Sequence, residues 1–364
     1  MSLVLRFLLL LALSAPGAAR AAAPTPTPAP VLTAETLAGL ECLPSRTVAL
    51  GYKPWRMLVW AGQVARLGYD RLVPGAGLFH ATEHLLPPLR RVPTVLTVHD
   101  LIYRRYPQHH KPLNRWFLTG AMPLFCRRAD RIIAVSEQTR SDLVSSYGVP
   151  ADKVTVVYEA ADGRFRPQHP EAVRAVRLRH GLPERYVLYV GTIEPRKNLV
   201  RLLEAFEPLR SRGLVDALVI VGRRGWLTGP FFDALKRSSV KDCVILPGFV
   251  SDADLPAVMA GAAALALPSE FEGFGLPIVE AMACGTPVVC SGTSSLPEVA
   301  GDAALLVDPT DTQAWSDTLA RVLTDPSLRA ELAARGLARA ATFGWDRAAR
   351  ETVAVYERLA PVSA

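Results

Sequence analysis

The run Ala262-Ala263-Ala264-Leu265-Ala266-Leu267, followed by a turn and then by helix-forming sequence from Pro277 to Ala283, constrains this chain more than any other stretch. An unbroken apolar run bounded by turn residues reads as a strand buried on both faces, and such strands belong to parallel sheets covered by helices. Between strand and helix lies the turn of Glu272-Gly273-Phe274-Gly275-Leu276-Pro277-Ile278-Val279-Glu280. In an open parallel sheet, ligands collect at the carboxyl ends of strands, and a helix N-terminus offers an anion unpaired N–H groups and a partial positive charge. Pro277 suits the first helical turn, where its missing N–H costs nothing. Gly273 and Gly275, lacking side chains, are expected to let the backbone approach an anionic, hydroxyl-rich ligand. Glu272 sits in the loop and Glu280 on the helix, so the two carboxylates are expected to meet different parts of one ligand. The spacing alone also describes a surface helix carrying a glutamate, and the neighbouring elements decide between the readings.

Upstream, Tyr186 to Val190 reads as a strand running into Gly191-Thr192-Ile193-Glu194-Pro195-Arg196-Lys197-Asn198 and a helical pattern from Leu199 to Leu209. Two cations thus follow a strand end. Arginine presents a planar fork to phosphate oxygens and lysine a mobile point charge, so Arg196 and Lys197 could neutralise a diphosphate without a metal; solvated loop charges are the other reading. Further strands are expected at Ala217 to Val221 ending in Gly222, Val244 to Leu246 leading to Gly248-Phe249-Val250, Pro287 to Cys290 and Ala304 to Val307. They alternate with helices around Asp252 to Ala260, Thr312 to Leu323 and Ser327 to Ala341. The pattern is that of a doubly wound α/β domain.

In that order, GTIEPRKN, GFVSDADL, PSEFEGFGLPIVEAMACGTPVVCS and LPEVAGDAALLVDP resemble the C-terminal domain of retaining GT-B glycosyltransferases of family 4, over roughly residues 185–345. The resemblance implies an α/β, GT-B architecture: two Rossmann-like domains facing across a cleft, with residues 1–168 as the acceptor-side domain and 169–345 as the nucleotide-sugar domain. Residues 346–364 would form a C-terminal helix returning to the first domain. It further implies that Glu280 binds the ribose hydroxyls, and that Glu272 and the backbone of Gly273, Phe274 and Gly275 meet the donor sugar. Arg196 and Lys197 would hold the diphosphate, Val250 would meet the base through its main chain, and Gly191 and Gly222 would border the donor site. The implied reaction is hexosyl transfer from a nucleoside diphosphate sugar to a glycan or lipid-linked acceptor, retaining configuration, with no metal or other cofactor.

The N-terminal half has its own signals. Pro93 to Val98 and Arg131 to Val135 read as strands ending in His99-Asp100 and Ser136. A histidine at a strand end fits either a structural hydrogen bond or a catalytic role; TVLTVHDL and RIIAVSEQTRSDL resemble the acceptor-side domain, which implies that His99 faces the donor sugar. Ser136 also fits a plain helix N-cap. Leu78-Phe79-His80-Ala81 belongs to the same resemblance, without a role for His80.

Asp252-Ala253-Asp254 matches the metal-holding D-x-D pattern of another glycosyltransferase fold, but after Ser251, at a helix start, it reads as capping. Asp308-Pro309-Thr310-Asp311 reads the same way. Five scattered cysteines without a C-x-x-C indicate a reduced compartment and no zinc site. The net charge of +7 fits anionic donors or an anionic membrane surface, although the pairs Arg90-Arg91, Arg104-Arg105 and Arg127-Arg128 also read as ordinary surface charge; no motif points to nucleic acid. A cytoplasmic protein, peripheral at the membrane, is the expectation. Residues 1–30 are atypical, with the apolar run Leu3 to Leu13 followed by Ala/Pro-rich sequence; a shortened or misassigned first domain and a signal peptide are the two readings. A catalytically impaired relic of the fold and a sugar-nucleotide epimerase or phosphorylase are the competing functions.

Overall fold

Parallel strands covered by helices fall into two sheets in this computed structural model, which describes residues 50–359. The atypical opening and Cys42 lie outside those residues. The first sheet belongs to α1 (Tyr52–Val64), β1 (Phe79–Ala81), β2 (Thr94–Val98), α2 (Ile102–Arg105), α3 (Pro112–Arg128), β3 (Arg131–Ala134), α4 (Glu137–Tyr147) and β4 (Val154–Val156), with its strands in the order β1-β2-β3-β4. The second follows with α5 (Pro170–His180), β5 (Tyr186–Val190), α6 (Leu199–Ser211), β6 (Ala217–Val221), α7 (Gly229–Arg237), β7 (Val244–Gly248), α8 (Leu255–Ala260) and β8 (Ala264–Leu267). It continues through α9 (Leu276–Ala283), β9 (Val288–Ser291), α10 (Leu296–Ala300), β10 (Ala304–Val307), α11 (Thr312–Thr324), α12 (Pro326–Ala340) and α13 (Trp345–Glu357).

The second sheet runs β10-β9-β8-β5-β6-β7. The chain therefore starts at β5, winds outward to β7, and crosses back to β8 before winding the other way. Ligands bind outside the strand ends at such a reversal, here between β5 and β8. The central strands are apolar on both faces because helices cover both: every residue of Tyr186–Val190 is buried. Tyr186 tolerates this by donating its hydroxyl to the Val258 carbonyl at 2.6 Å.

After α12 the chain returns to the first sheet. Ala348 and Val355 of α13 pack with Val95, Ile133 and Val157, and the Tyr356 hydroxyl lies 2.7 Å from His80 Nδ1. His80 Nε2 is equally close to Thr97 Oγ1, at 2.7 Å, so both its ring nitrogens serve packing.

The helix expected from Asp252 begins only at Leu255, and the Asp254 carboxylate does not cap it. That carboxylate instead pairs with Arg179 and accepts from His180 Nε2 at 2.9 Å, because α5 packs against α8 and brings two basic side chains over the turn. Asp252 lies 3.3 Å from Arg164. At the other candidate cap, Asp311 does accept from the Ala314 N–H at 2.9 Å.

Candidate active site

Because β5 and β8 are paired neighbours, the loops leaving their carboxyl ends meet. Arg196 Nη1 donates to Glu272 Oε2 at 2.6 Å and to the Phe271 carbonyl at 2.9 Å. Lys197 Nζ pairs with Glu272 Oε1, which also accepts from Ser269 Oγ at 2.6 Å. Arg196 Nε lies 2.6 Å from Glu194 Oε1. The loop after β9 braces the same turn, since Ser294 Oγ accepts the Glu272 N–H at 2.9 Å and Ser295 Oγ donates to the Phe274 carbonyl at 2.8 Å.

Arg196, Lys197 and Glu272 thus form one buried cluster rather than separate contacts. Burial pushes the Glu272 carboxyl up, but Lys197 and Arg196 outweigh it and bring it down to about 2. Burial lowers the Lys197 ammonium against the pull of Glu272. Burial acts the same way on Arg196, yet Glu272 and Glu194 carry its pKa above the ordinary arginine value. Lys197 is therefore spent on an internal counter-charge, whereas Arg196 Nη2 makes no hydrogen bond among the described residues. Glu194 was not foreseen as part of the site. Its second oxygen is buried without a partner, and burial raises its pKa. Its only sequence signal was an acid two residues before Arg196 in a strand-end loop.

The turn itself supplies N–H groups. Gly275 is the N-cap of α9, and the N–H groups of Gly273, Phe274 and Gly275 make no hydrogen bond among the described residues. Gly273 has a further necessity besides the one expected: a Cβ there would lie 2.0 Å from the His99 carbonyl oxygen, so the missing side chain lets the two domains touch. The Phe274 ring is buried beside Tyr158 and Phe343, leaving only its backbone for a ligand. Gly222 sits against Gly191, whose carbonyl oxygen would be 2.0 Å from a Cβ at Gly222; the strand ends of β5 and β6 close on each other there. Val250 buries its side chain in the core, while its main-chain N–H and carbonyl make no hydrogen bond among the described residues. The Phe249 ring beside it is 63% exposed with the Arg223 guanidinium 5.2 Å above it.

From the first domain, His99 arrives at the end of β2. Its Nε2 donates to the Thr82 carbonyl at 3.0 Å, and Nδ1 lies 3.3 Å from Glu159 Oε1. Acceptors at both ring nitrogens favour the imidazolium, and the hydrogen bond with Glu159 lifts His99 to about 9. His99 and Arg196 line one cavity of about 390 Å³, together with Asp100, His110, Asn114 and Trp226 among others. Ser136 does cap α4, accepting from the Thr139 N–H at 3.1 Å, but its hydroxyl also donates to the Gly273 carbonyl at 2.6 Å, across the cleft. Neither Glu159 nor this second bond of Ser136 had a sequence signal, because both depend on how the domains meet.

Glu280 stands apart from the cluster. It lies on α9, half-buried, and its carboxylate makes no hydrogen bond among the described residues. Burial raises its carboxyl to about 7, helped by Asp162 and Asp252 and opposed by Arg164. A half-buried carboxylate without a donor of its own is an acceptor for hydroxyl donors.

Among the described residues no helix is long and apolar enough to cross a membrane, and Cys126, Cys243, Cys284 and Cys290 are unbridged.

Comparison with known proteins bears on the family and the fold. Residues 175–339 match the family described as Glycosyl transferases group 1, and residues 23–163 match Glycosyltransferase Family 4. The O-antigen chain mannosyltransferase B of Escherichia coli is 35% identical over 285 residues, which cover 78% of this chain and 74% of that protein. The D-inositol 3-phosphate glycosyltransferase of Salinispora arenicola is 36% identical over 249 residues, 63% of this chain and 54% of that protein, so only about half of that relative is spanned. A crystal structure of Anabaena HepE in complex with UDP and glucose superposes with a TM-score of 0.64 at 23% identity, covering 75% of this chain and 72% of that one, a likeness of fold. A reversal point loaded with paired cations and acids, in a two-domain frame matched by both family profiles, makes this chain a family 4 glycosyltransferase of GT-B fold.

Proposed function

We propose that this protein transfers a hexose from a nucleoside diphosphate sugar to a hydroxyl of a glycan or lipid-linked acceptor, with retention of configuration and without a metal. The carrying observation is the meeting of Arg196, from the end of β5, with the Glu272–Gly275 turn at the end of β8, beside unpaired backbone N–H groups. As the bond between the anomeric carbon and the diphosphate oxygen breaks, positive charge grows on the sugar and negative charge on the departing phosphate. Arg196 and the N-terminus of α9 would answer the negative charge. Glu272, held ionised, would lie near the sugar, and Glu280 would accept the ribose hydroxyls. The departing phosphate would take the acceptor proton as the new bond forms on the same face, so no protein nucleophile is required.

A glycan acceptor fits the O-antigen chain mannosyltransferase B that this chain resembles, and UDP with glucose in HepE fits the donor class. Peripheral contact with an anionic membrane at the cytoplasmic face is part of the proposal: Leu113 and Trp116 are 66% and 54% exposed on α3, beside Lys111 and Arg115. Pelleting with anionic vesicles at low salt checks that part, and failure to pellet removes it.

A thermal-shift screen against nucleoside diphosphate sugars, followed by a transfer assay with the donor that binds, tests the central reading, since a ligand binding only the folded state raises its stability. Stabilisation by none of them would overturn it. Binding without transfer or donor hydrolysis would favour the nucleotide-binding relic.

A further inference from the structure

Glu298, in the LPEVAGDAALLVDP segment, has no place in the donor site, yet it joins the two domains. From α10 its Oε1 accepts the Glu137 N–H at 2.7 Å and its Oε2 the Gln138 N–H at 3.2 Å, so a carboxylate of one domain caps helix α4 of the other. Tyr158, on the segment joining the domains, donates its hydroxyl to Glu298 Oε1 at 2.7 Å. Glu298 is itself fixed, because Arg339 donates to its carbonyl at 2.6 Å and to that of Val299 at 3.0 Å. The same end of α4 carries Ser136, bonded to the Gly273 carbonyl, and Thr139, whose Oγ1 donates to the His99 carbonyl at 3.2 Å. The tip of α4 therefore touches both halves of the site: the His99 loop and the glycine turn. A negative side chain at a helix N-terminus satisfies N–H groups that have no partner inside the helix and meets the positive end of its dipole.

We propose that Glu298 is a positioning residue for transfer: by capping α4 across the cleft, it sets the His99 loop against the Glu272–Gly275 turn. This rests on the reading of that turn as the donor-sugar site. Nucleotide binding draws on residues of the second domain alone, so it does not need the clamp. Transfer does, because a displacement of about 1 Å in the reacting groups costs up to a hundredfold in rate.

The test compares the full-length protein with Glu298→Ala, Glu298→Gln and Tyr158→Phe. Small-angle scattering on the free proteins and calorimetric titration with GDP and UDP accompany turnover measurements. For Glu298→Ala, the expected result is a larger radius of gyration, turnover lower by about tenfold or more, and nucleotide affinity within about twofold of the unaltered protein. Glu298→Gln, which keeps one acceptor oxygen, should recover part of the turnover, and Tyr158→Phe should lose a smaller part. Unchanged turnover in Glu298→Ala, or a fall in nucleotide affinity matching the fall in turnover, overturns the proposal. Should Glu298→Ala not fold, wild-type turnover in Tyr158→Phe and Glu298→Gln overturns it instead. Should the unaltered protein bind neither of these nor any other nucleoside diphosphate, the proposed function fails, and the scattering still decides the clamp: an unchanged radius ends it.

Discussion

The two ends of the stretch from Glu272 to Glu280 carry the same side chain in opposite circumstances. At the first, burial comes with two cations and a serine hydroxyl, and the carboxyl is driven down to about 2. At the second, burial comes with two other acids and no hydrogen-bond donor, and the carboxyl is driven up to about 7. A buried charge is tolerated only where partners replace the lost water. Glu272 is thus already committed to the protein, whereas Glu280 is held in a state that a ligand's hydroxyls would relieve. One glutamate is satisfied within the fold, and the other is the one we propose a ligand completes.

The comparison breaks most visibly at Glu272. Glu272→Ala leaves Lys197 and Arg196 buried without their shared counter-charge, and the expected loss of folding stability is ~3–5 kcal/mol, read from the denaturant midpoint. The acid limb carries the same signature. A carboxyl lowered from its ordinary 4.5 contributes stability that is present above 4.5 and is lost as pH falls toward 2. Glu272→Gln should flatten that limb, and an identical acid denaturation profile would show that the pairing contributes nothing.

The next effect lies at Arg196, the cation that both supports Glu272 and borders the cavity. Removing a charge-assisted hydrogen bond is worth roughly 1.5–3 kcal/mol, so Arg196→Ala should lower turnover by about tenfold to a hundredfold. Lys197 remains to hold Glu272, so folding should suffer less than in Glu272→Ala. A rate equal to that of the unaltered enzyme would remove Arg196 from the chemistry.

Glu280 sharpens the other side. If its carboxylate accepts ribose hydroxyls, Glu280→Gln weakens nucleotide affinity by about tenfold, close to one charged hydrogen bond. The sign of the pH dependence follows. With its pKa raised to about 7 in the free protein, Glu280 takes part in folding most favourably as the neutral acid, so its contribution is fully present below 4.5 and lost as pH rises through 7. The ligand prefers the ionised form, so affinity should climb as pH rises through 7 and then level, with protons released on binding below it. Calorimetry in buffers of different ionisation enthalpy measures that release, and a flat affinity profile in the unaltered protein contradicts the assignment.

Much of this was legible before the structure, and the reason is local. β5, β6 and β10 are short apolar runs closed by turn residues, and they fall where the pattern put them. The glycine turn and the start of α9, with Pro277 in its first turn, are likewise determined within a dozen residues. What could not be read is whatever depends on which surfaces meet. Gly273 looked like room for a ligand and turned out also to admit the His99 carbonyl. Asp254 looked like a helix cap, but α5 lies over it with Arg179 and His180. Glu298 carries no signature in sequence and Glu194 only its place two residues before Arg196, since a lone acid becomes a counter-charge or a cross-domain cap only through tertiary contact.

His99 offers the smallest of the expected effects and the most specific. Its two ring nitrogens face the Thr82 carbonyl and the Glu159 carboxylate, so the charged form is favoured by geometry on both sides. A histidine raised to about 9 contributes stability that is fully present below its ordinary 6.5 and is lost as pH rises through 9. Glu159→Gln should bring its titration midpoint back toward 6.5, observable by nuclear magnetic resonance of the ring protons. Because His99 sits beside the turn proposed to hold the sugar, the same variant should lose a few-fold in turnover at neutral pH, and more as the medium becomes alkaline. A midpoint near 6.5 in the unaltered protein would mean that the imidazole is neutral at work and acts by shape and hydrogen bonding alone. The cleft would then present its positive charge from one side only, through Arg196.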